Sequence, residues 1–249
     1  MENVFIQAKG FISQRNLPVI SRVAPIIPEL AYEAYEASAY GHWVFDNSGN
    51  SLNSKVGSKV LTLQAGATVP PVYGANYVEL ACKNGNALMT DLLDNVAQFT
   101  MMGVIQPRNT ALDISMGTMN TGASATGAGI FTSAGVPYLT IRANPSSLSI
   151  GGVIASDAPL FAALSIDVPT NTYTALVGIQ GQVFTKSGTI TWNKSDTAIA
   201  LGNSRYVSTN TNKMRAYEFA VFNKSMTIEE LTNIEYRARQ RCQLRGISY

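Results

Sequence analysis

The acidic residues of this chain are few and scattered, and their spacing limits the chemistry open to them. Cleaving a sugar bond by acid and base needs two carboxylates a short distance apart. A pattern such as E-x-D-x-x-E would place them on one face of a strand, and no such stretch occurs. The adjacent pair Glu229 and Glu230 follows Thr227 at helix-capping spacing. Asp91 and Asp94 flank a loop without a third acid, and Asp46 stands in a D-x-x-G turn that Asx hydrogen bonding explains. There is no G-x-S-x-G, no phosphate-cradling glycine loop and no metal-protease motif. The one histidine, His42, sits beside Trp43 in a strand-like stretch and reads as structural. One His and two Cys are a poor ligand supply for zinc. These residues describe a binding or structural protein rather than an enzyme.

Recognition chemistry is better provided for. Sugars stack their C–H faces on aromatic rings, while planar polar groups pair with their hydroxyls. Trp192, Tyr206 and Tyr73 each lie beside turn residues, with Asn193, Asn203 and Arg205 as polar companions; Arg205–Tyr206 is the foremost pair. The competing reading of each ring is ordinary packing, and Trp43 reads as core. No cofactor is required. Calcium is the one ion suited to the oxygens of Asp46, Asn47, Asp91, Asp94 and Asn95, though no definite site assembles from them.

The elements that must position these residues are short strands. The chain has 249 residues, of which 46% are apolar and only 14% charged, with 20 glycines. Low charge with abundant small polar residues suits a β-rich extracellular or virion protein. A net charge of +2 argues against a nucleic-acid partner. The start, MENVFIQAKG, resembles neither a signal peptide nor a membrane span, which predicts a protein made in a cytoplasm and not inserted in a membrane. Cys82 and Cys242 allow at most one bridge, and the favoured reading is two buried free thiols.

Residues 1–40 differ from the rest. Pro18, Pro25 and Pro28 disfavour helix, yet Val19, Ile20, Val23, Ile26 and Ile27 lie among them. Such an arm packs on its own domain or docks on a sister subunit or a larger particle. A short helix is expected between Pro28 and Tyr40. From Gly41 the pattern is strands and turns, about twelve to fourteen strands: 42–45, 59–63, 75–81, 98–105, 112–116, 129–132, 138–142, 147–150, 160–167, 173–179, 183–186, 189–192, 198–202 and 214–222. Residues 118–129 (TMNTGASATGAG) read as a mobile loop. In the last strand Tyr217, Phe219 and Val221 should share a face. Thr227 with Glu230 fits a capping box, and Met226 with Leu231 a hydrophobic staple, for a helix over 227–241. Arg237, Arg239 and Arg241 favour its C-terminal end.

The stretch from Ala216 to Leu231 (AYEFAVFNKSMTIEEL), together with His42–Gly49 and Ala198–Asn203, resembles the closing and opening phrases of concanavalin A-like, or laminin-G-like, lectin domains. The likeness covers roughly Gly41 to Arg241. It implies an all-β, two-sheet jelly-roll sandwich over 41–249 with an N-terminal arm and a short C-terminal helix. Together with the arm it is similar to bacteriophage virion proteins of tail or decoration type. The implied function is a non-enzymatic tail- or fibre-associated virion component that recognises host-surface carbohydrate or protein. The arm would contact other virion proteins, and the protein would form a homo-oligomer. The alternatives are a capsid decoration or other structural subunit without ligand, and a glycan-cleaving enzyme.

Overall fold

The computed structural model describes residues 35–48, 51–108, 112–121, 125–141, 143–144, 147–155, 157–208, 210 and 212–249. The arm therefore lies outside the described residues up to 34. Of the linker helix expected up to Tyr40, residues 35–40 form a turn instead, with the Ala39 N–H donating to the Glu36 carbonyl.

The chain forms seventeen strands and one helix among the described residues. In order they are β1 (Gly41–Val44), β2 (Thr62–Leu63), β3 (Val72–Tyr73), β4 (Val78–Ala81), β5 (Leu88–Leu93), β6 (Gln98–Gln106), β7 (Asp113–Gly117), β8 (Ala128–Ser133), β9 (Val136–Ile141), β10 (Ala143–Asn144), β11 (Leu148–Ser149), β12 (Leu160–Asp167), β13 (Thr172–Ile179), β14 (Gln182–Thr189), β15 (Thr191–Trp192), β16 (Ala198–Leu201), β17 (Lys213–Phe222) and α1 (Ile228–Leu244). The extra strands relative to the sequence reading are short edge pieces, plus β5, whose Asp91 breaks its apolar pattern.

Two antiparallel sheets make a sandwich. The first runs β14-β13-β12-β6-β17-β4-β3, with β1 also pairing with β17; the second runs β11-β9-β8-β7-β16-β5-β2. A separate ribbon pairs β10 with β15. The inward residues of both sheets close one core. Phe99, Met101 and Ile105 of β6 and Leu160, Ala162, Leu164 and Ile166 of β12 meet Ile130, Leu139 and Leu201 from the second sheet. This is the period of two that a strand imposes. Trp43 is fully buried there and stacks on Phe219 at 5.8 Å.

The opposite residues of the first sheet are also apolar, because α1 covers that face. Met102, Val104, Phe161, Ala163, Leu176 and Phe222 pack against Leu231, Ile234, Ala238 and Cys242 of the helix. Gly178 of β13 permits the close approach, since a Cβ there would lie 2.6 Å from a Glu235 carboxylate oxygen. The helix begins as its sequence dictates. Thr227 accepts from the Glu230 N–H, the Glu230 carboxylate accepts from the Thr227 N–H, and Met226 and Leu231 are both buried under the sheet. It runs three residues past the expected end, to Leu244.

One face assignment is corrected. A bulge between Ala216 and Glu218 breaks the alternation of β17. Phe219 and Val221 enter the inter-sheet core, but Tyr217 turns to the helix side. Glu218 also turns to that side, where it meets Arg241. Cys82 and Cys242 are free and buried in these two separate cores.

Candidate functional site

The second sheet has no helix on its outer face among the described residues, and a groove forms there. It begins with the β8–β9 hairpin. Ala134 and Gly135 both take positive φ, 47° and 76°, as a two-residue type I′ turn requires. That turn fixes the register and sets Phe131 directly opposite Tyr138. The two rings stack with centroids 5.2 Å apart and planes within 9°. On the next strand a bulge between Ile114 and Met116 sends Met116 into the inter-sheet core and leaves Ile114 on the outer side, clustered with Met119 and Phe131.

These side chains, with Leu112, Ser133, Thr140, Ser147 and Tyr206, line a cavity of about 340 Å³. Ile114, Met119 and Phe131 form a buried apolar floor, and the half-buried Tyr138 and Tyr206 stand against it. Hydroxyl groups come from Ser133, Thr140 and Ser147. The lining combines rings, an aliphatic floor and neutral hydroxyls, and carries no charged residue among those described.

Of the residues singled out in the sequence, Tyr206 is the one in this groove. Asn203 supports it from behind: fully buried, its side chain accepts from the Tyr206 N–H and donates to the Tyr206 and Cys82 carbonyls. All of these bonds go to the fold itself. Arg205 points elsewhere and donates to the Ser195 carbonyl at 3.4 Å. Trp192 leans on Phe99 at 5.8 Å and packs against the inter-sheet core. Asn193 donates to the Ala125 carbonyl, and its own carbonyl accepts from the Gly127 N–H. Tyr73 is 38% exposed at the far edge of the first sheet. Phe131 and Tyr138 were not singled out by sequence. The signal that finds them is the Ala134–Gly135 turn, which makes the two aromatic residues cross-strand partners.

The residues 118–129, expected to be mobile, are tied down on both sides of 122–124, which lie outside the described residues. Thr118 pairs with Ala128 and donates to Asp94, and Asn120 caps Thr126. Gly117 lets β7 and β8 close up here; its φ is 129°, and a Cβ would meet the Ala128 carbonyl oxygen at 2.2 Å.

The oxygens considered for calcium are not gathered. Asp46 accepts from the Ser48 N–H and the Ser51 hydroxyl, while Asn47 is exposed beside it. Asp91 pairs with Lys59 at 2.7 Å. Asp94 is fully buried and accepts from Thr118, Ser195 and Thr197. Asn95 donates to Asp196. No group of three or more His, Cys, Asp or Glu suited to a metal ion occurs among the described residues.

A second, smaller cleft of about 190 Å³ contains the carboxylates Asp167 and Glu230. Burial works against ionising Asp167, but donors from Thr170, Ser225 and Gln98 hold it below the usual carboxylate range. The backbone N–H of Thr227 does the same for Glu230. General acid catalysis needs one carboxyl raised enough to keep its proton near neutrality, and here both are lowered. His42, read as structural, is fully buried: its Nδ1 accepts from the Glu36 N–H, and its Nε2 lies 3.0 Å from a Glu218 carboxylate oxygen.

No protein-family model and no curated sequence matches the chain. Solved structures do. The receptor binding domain of botulinum neurotoxin D is similar at 13% identity and a TM-score of 0.55, covering 81% of this chain and 53% of that one. The serotype D ligand binding domain in complex with N-acetylneuraminic acid is similar at 13% identity and a TM-score of 0.55, covering 85% and 52%. A Trypanosoma rangeli sialidase is similar at 12% identity and a TM-score of 0.57, covering 86% and 34%. At these identities the shared property is the jelly-roll-like sandwich, and this chain spans about half the length of the neurotoxin chains.

Proposed function

We propose that this protein is a non-enzymatic recognition module that binds carbohydrate in the groove on the outer face of its second sheet. The observation that carries this is the groove itself: Tyr138, braced by Phe131, and Tyr206 stand over an apolar floor, with hydroxyl groups around them. Rings that offer a face to sugar C–H groups, next to hydroxyls that both donate and accept, suit a polyol with one apolar face. The resemblance to lectin domains and the fold shared with a domain solved in complex with a sialic acid support the same reading. The test is titration of the purified protein with host-surface polysaccharides. Tyr138→Ala and Tyr206→Ala should each weaken binding roughly tenfold while the fold persists. Unchanged affinity in both variants would defeat the assignment.

The setting we infer is a bacteriophage virion, with the sandwich over 41–249 displayed on the tail or its fibres and residues 1–40 anchoring it to other virion proteins or sister copies. The support is the low charge, the small polar composition and the aliphatic residues between Pro18 and Pro28. Gold-labelled antibody on particles tests it, and tail label is the expected result. Label over the head would favour a structural decoration subunit, and particles without label would remove the virion setting.

A further inference from the structure

We infer that the groove takes an uncharged sugar bearing a methyl group, a 6-deoxyhexose or an N-acetylhexosamine, rather than an acidic sugar. This rests on the carbohydrate reading above and sharpens it to a ligand class.

The first argument is charge. An acidic sugar presents a carboxylate, and carboxylates are held best by a guanidinium or ammonium partner. None of the nine described lining residues is charged. Among the described residues, three cations are engaged by other groups. Arg108 pairs with Asp157 at 2.8 Å, Lys194 with Asp196 at 2.9 Å, and Arg205 reaches the Ser195 carbonyl and Thr197. A carboxylate placed against Tyr138 and Tyr206 would leave water without gaining a charged partner among the described lining residues.

The second argument is the floor. Ile114 and Met119 are each 3% exposed, and with Leu112 they offer no hydrogen bond. A sugar hydroxyl pressed onto them would be buried unpaired. A methyl group, at C6 of a deoxyhexose or on an acetamide, would instead make apolar contact there without leaving a polar group unpaired. The ring hydroxyls of the same sugar would face Ser133 and Ser147, whose side chains can donate and accept. The cavity lies at the small end of ligand sites, which suits one or two sugar units rather than a long chain.

The experiment titrates the full chain with methyl rhamnoside, N-acetylglucosamine oligosaccharide, the matched plain hexosides and sialyllactose. The methyl-bearing neutral probes should bind roughly tenfold more tightly than matched hexosides, the size of discrimination that one methyl gives in an apolar pocket. Leu112→Ser should narrow that preference, and Tyr206→Ala should weaken binding of every probe. Equal or tighter binding of sialyllactose, or no preference over plain hexosides, would overturn this inference while leaving the carbohydrate reading intact. Failure of a folded protein to bind any probe would overturn both. Undiminished binding by Tyr206→Ala would place the sugar elsewhere and remove the argument from this groove.

Discussion

Arg241 of the helix and Glu218 of the last strand form a buried ion pair that fastens α1 to the first sheet. The Arg241 Nε lies 3.2 Å from both Glu218 oxygens, and Nη2 approaches Glu218 as well. Arg241 Nη1 reaches Glu36 at 2.8 Å, and Arg237 holds the other side of that carboxylate. The bulge at Ala216/Glu218 makes this arrangement available, because strict alternation would have aimed Glu218 into the apolar core with Ala216 and Met214. The same network holds Glu36, at the start of the described chain, against the helix.

Removing Arg241 would leave two buried carboxylates short of a partner. Breaking one side of a buried pair costs about 3–5 kcal/mol. Arg241→Met should therefore lower the unfolding free energy by about that amount in a urea titration. A loss under 1 kcal/mol would show that water enters and replaces the guanidinium.

The pair also predicts acid sensitivity. Burial alone would raise the Glu218 pKa, but Arg241 and His42 outweigh it and hold it at about 2, against about 4.5 for a free glutamate. A group whose folded pKa is depressed contributes stability that is complete above its unfolded value and lost as pH falls through the folded one. Stability should thus fall between about pH 4.5 and pH 2. Burial raises Asp113 and Glu235 instead, and those two act in the opposite sense. Melting curves across that range, compared with Glu218→Gln, isolate the contribution, and the variant should show the shallower slope. Equal slopes would mean that Glu218 does not drive the acid transition.

How much of this was readable beforehand follows from the range of the forces involved. The capping box and staple at Thr227, Glu230, Met226 and Leu231 are local, so the sequence displayed them. The sandwich showed in the strand spacing and in Trp43. The two bulges did not show, because a bulge is decided by what the partner strand offers. With them went the positions of Tyr217, Glu218 and Ile114. Adjacency to turn residues picked out Tyr206, Trp192 and Tyr73 alike. Only the packed structure separates a tyrosine over a groove from a tryptophan seated on Phe99.

The cap allows a local test. Thr227→Ala removes the side chain that accepts from Glu230 and should cost about 1 kcal/mol, whereas Thr227→Ser or Thr227→Asp should retain most of the stability. If Ser, Asp and Ala variants melted together, packing of Leu231 and Ile234 alone would be setting the helix start.

Asn203 should behave as a support for the groove. Its amide joins the Cys82 carbonyl to Tyr206, and Asn203→Ala would leave buried backbone groups unpaired at about 1–3 kcal/mol. Sugar affinity should fall with it, because Tyr206 loses its anchor, and it should be partly recovered where temperature or a stabilising additive restores the fold. A variant that remains as stable as the parent yet binds no sugar would instead make Asn203 a direct ligand contact.

Trp192 and Tyr206 give the sharpest contrast, since both were candidates and the structure assigns them different surroundings. Trp192 packs against Phe99 and the inter-sheet core, so Trp192→Ala should destabilise by roughly 3 kcal/mol, the lower range for truncating a large aromatic residue. It should leave sugar affinity unchanged at temperatures where the variant is folded. Tyr206 is half-buried on the outer face, and Tyr206→Ala should do the reverse, costing about 1 kcal/mol or less in stability and roughly tenfold in affinity. Measuring melting temperature and calorimetric affinity on both variants yields a crossed pattern if the groove is the binding site. Loss of affinity in Trp192→Ala at full stability would move the site to the β10–β15 ribbon, where Trp192 and Asn193 adjoin.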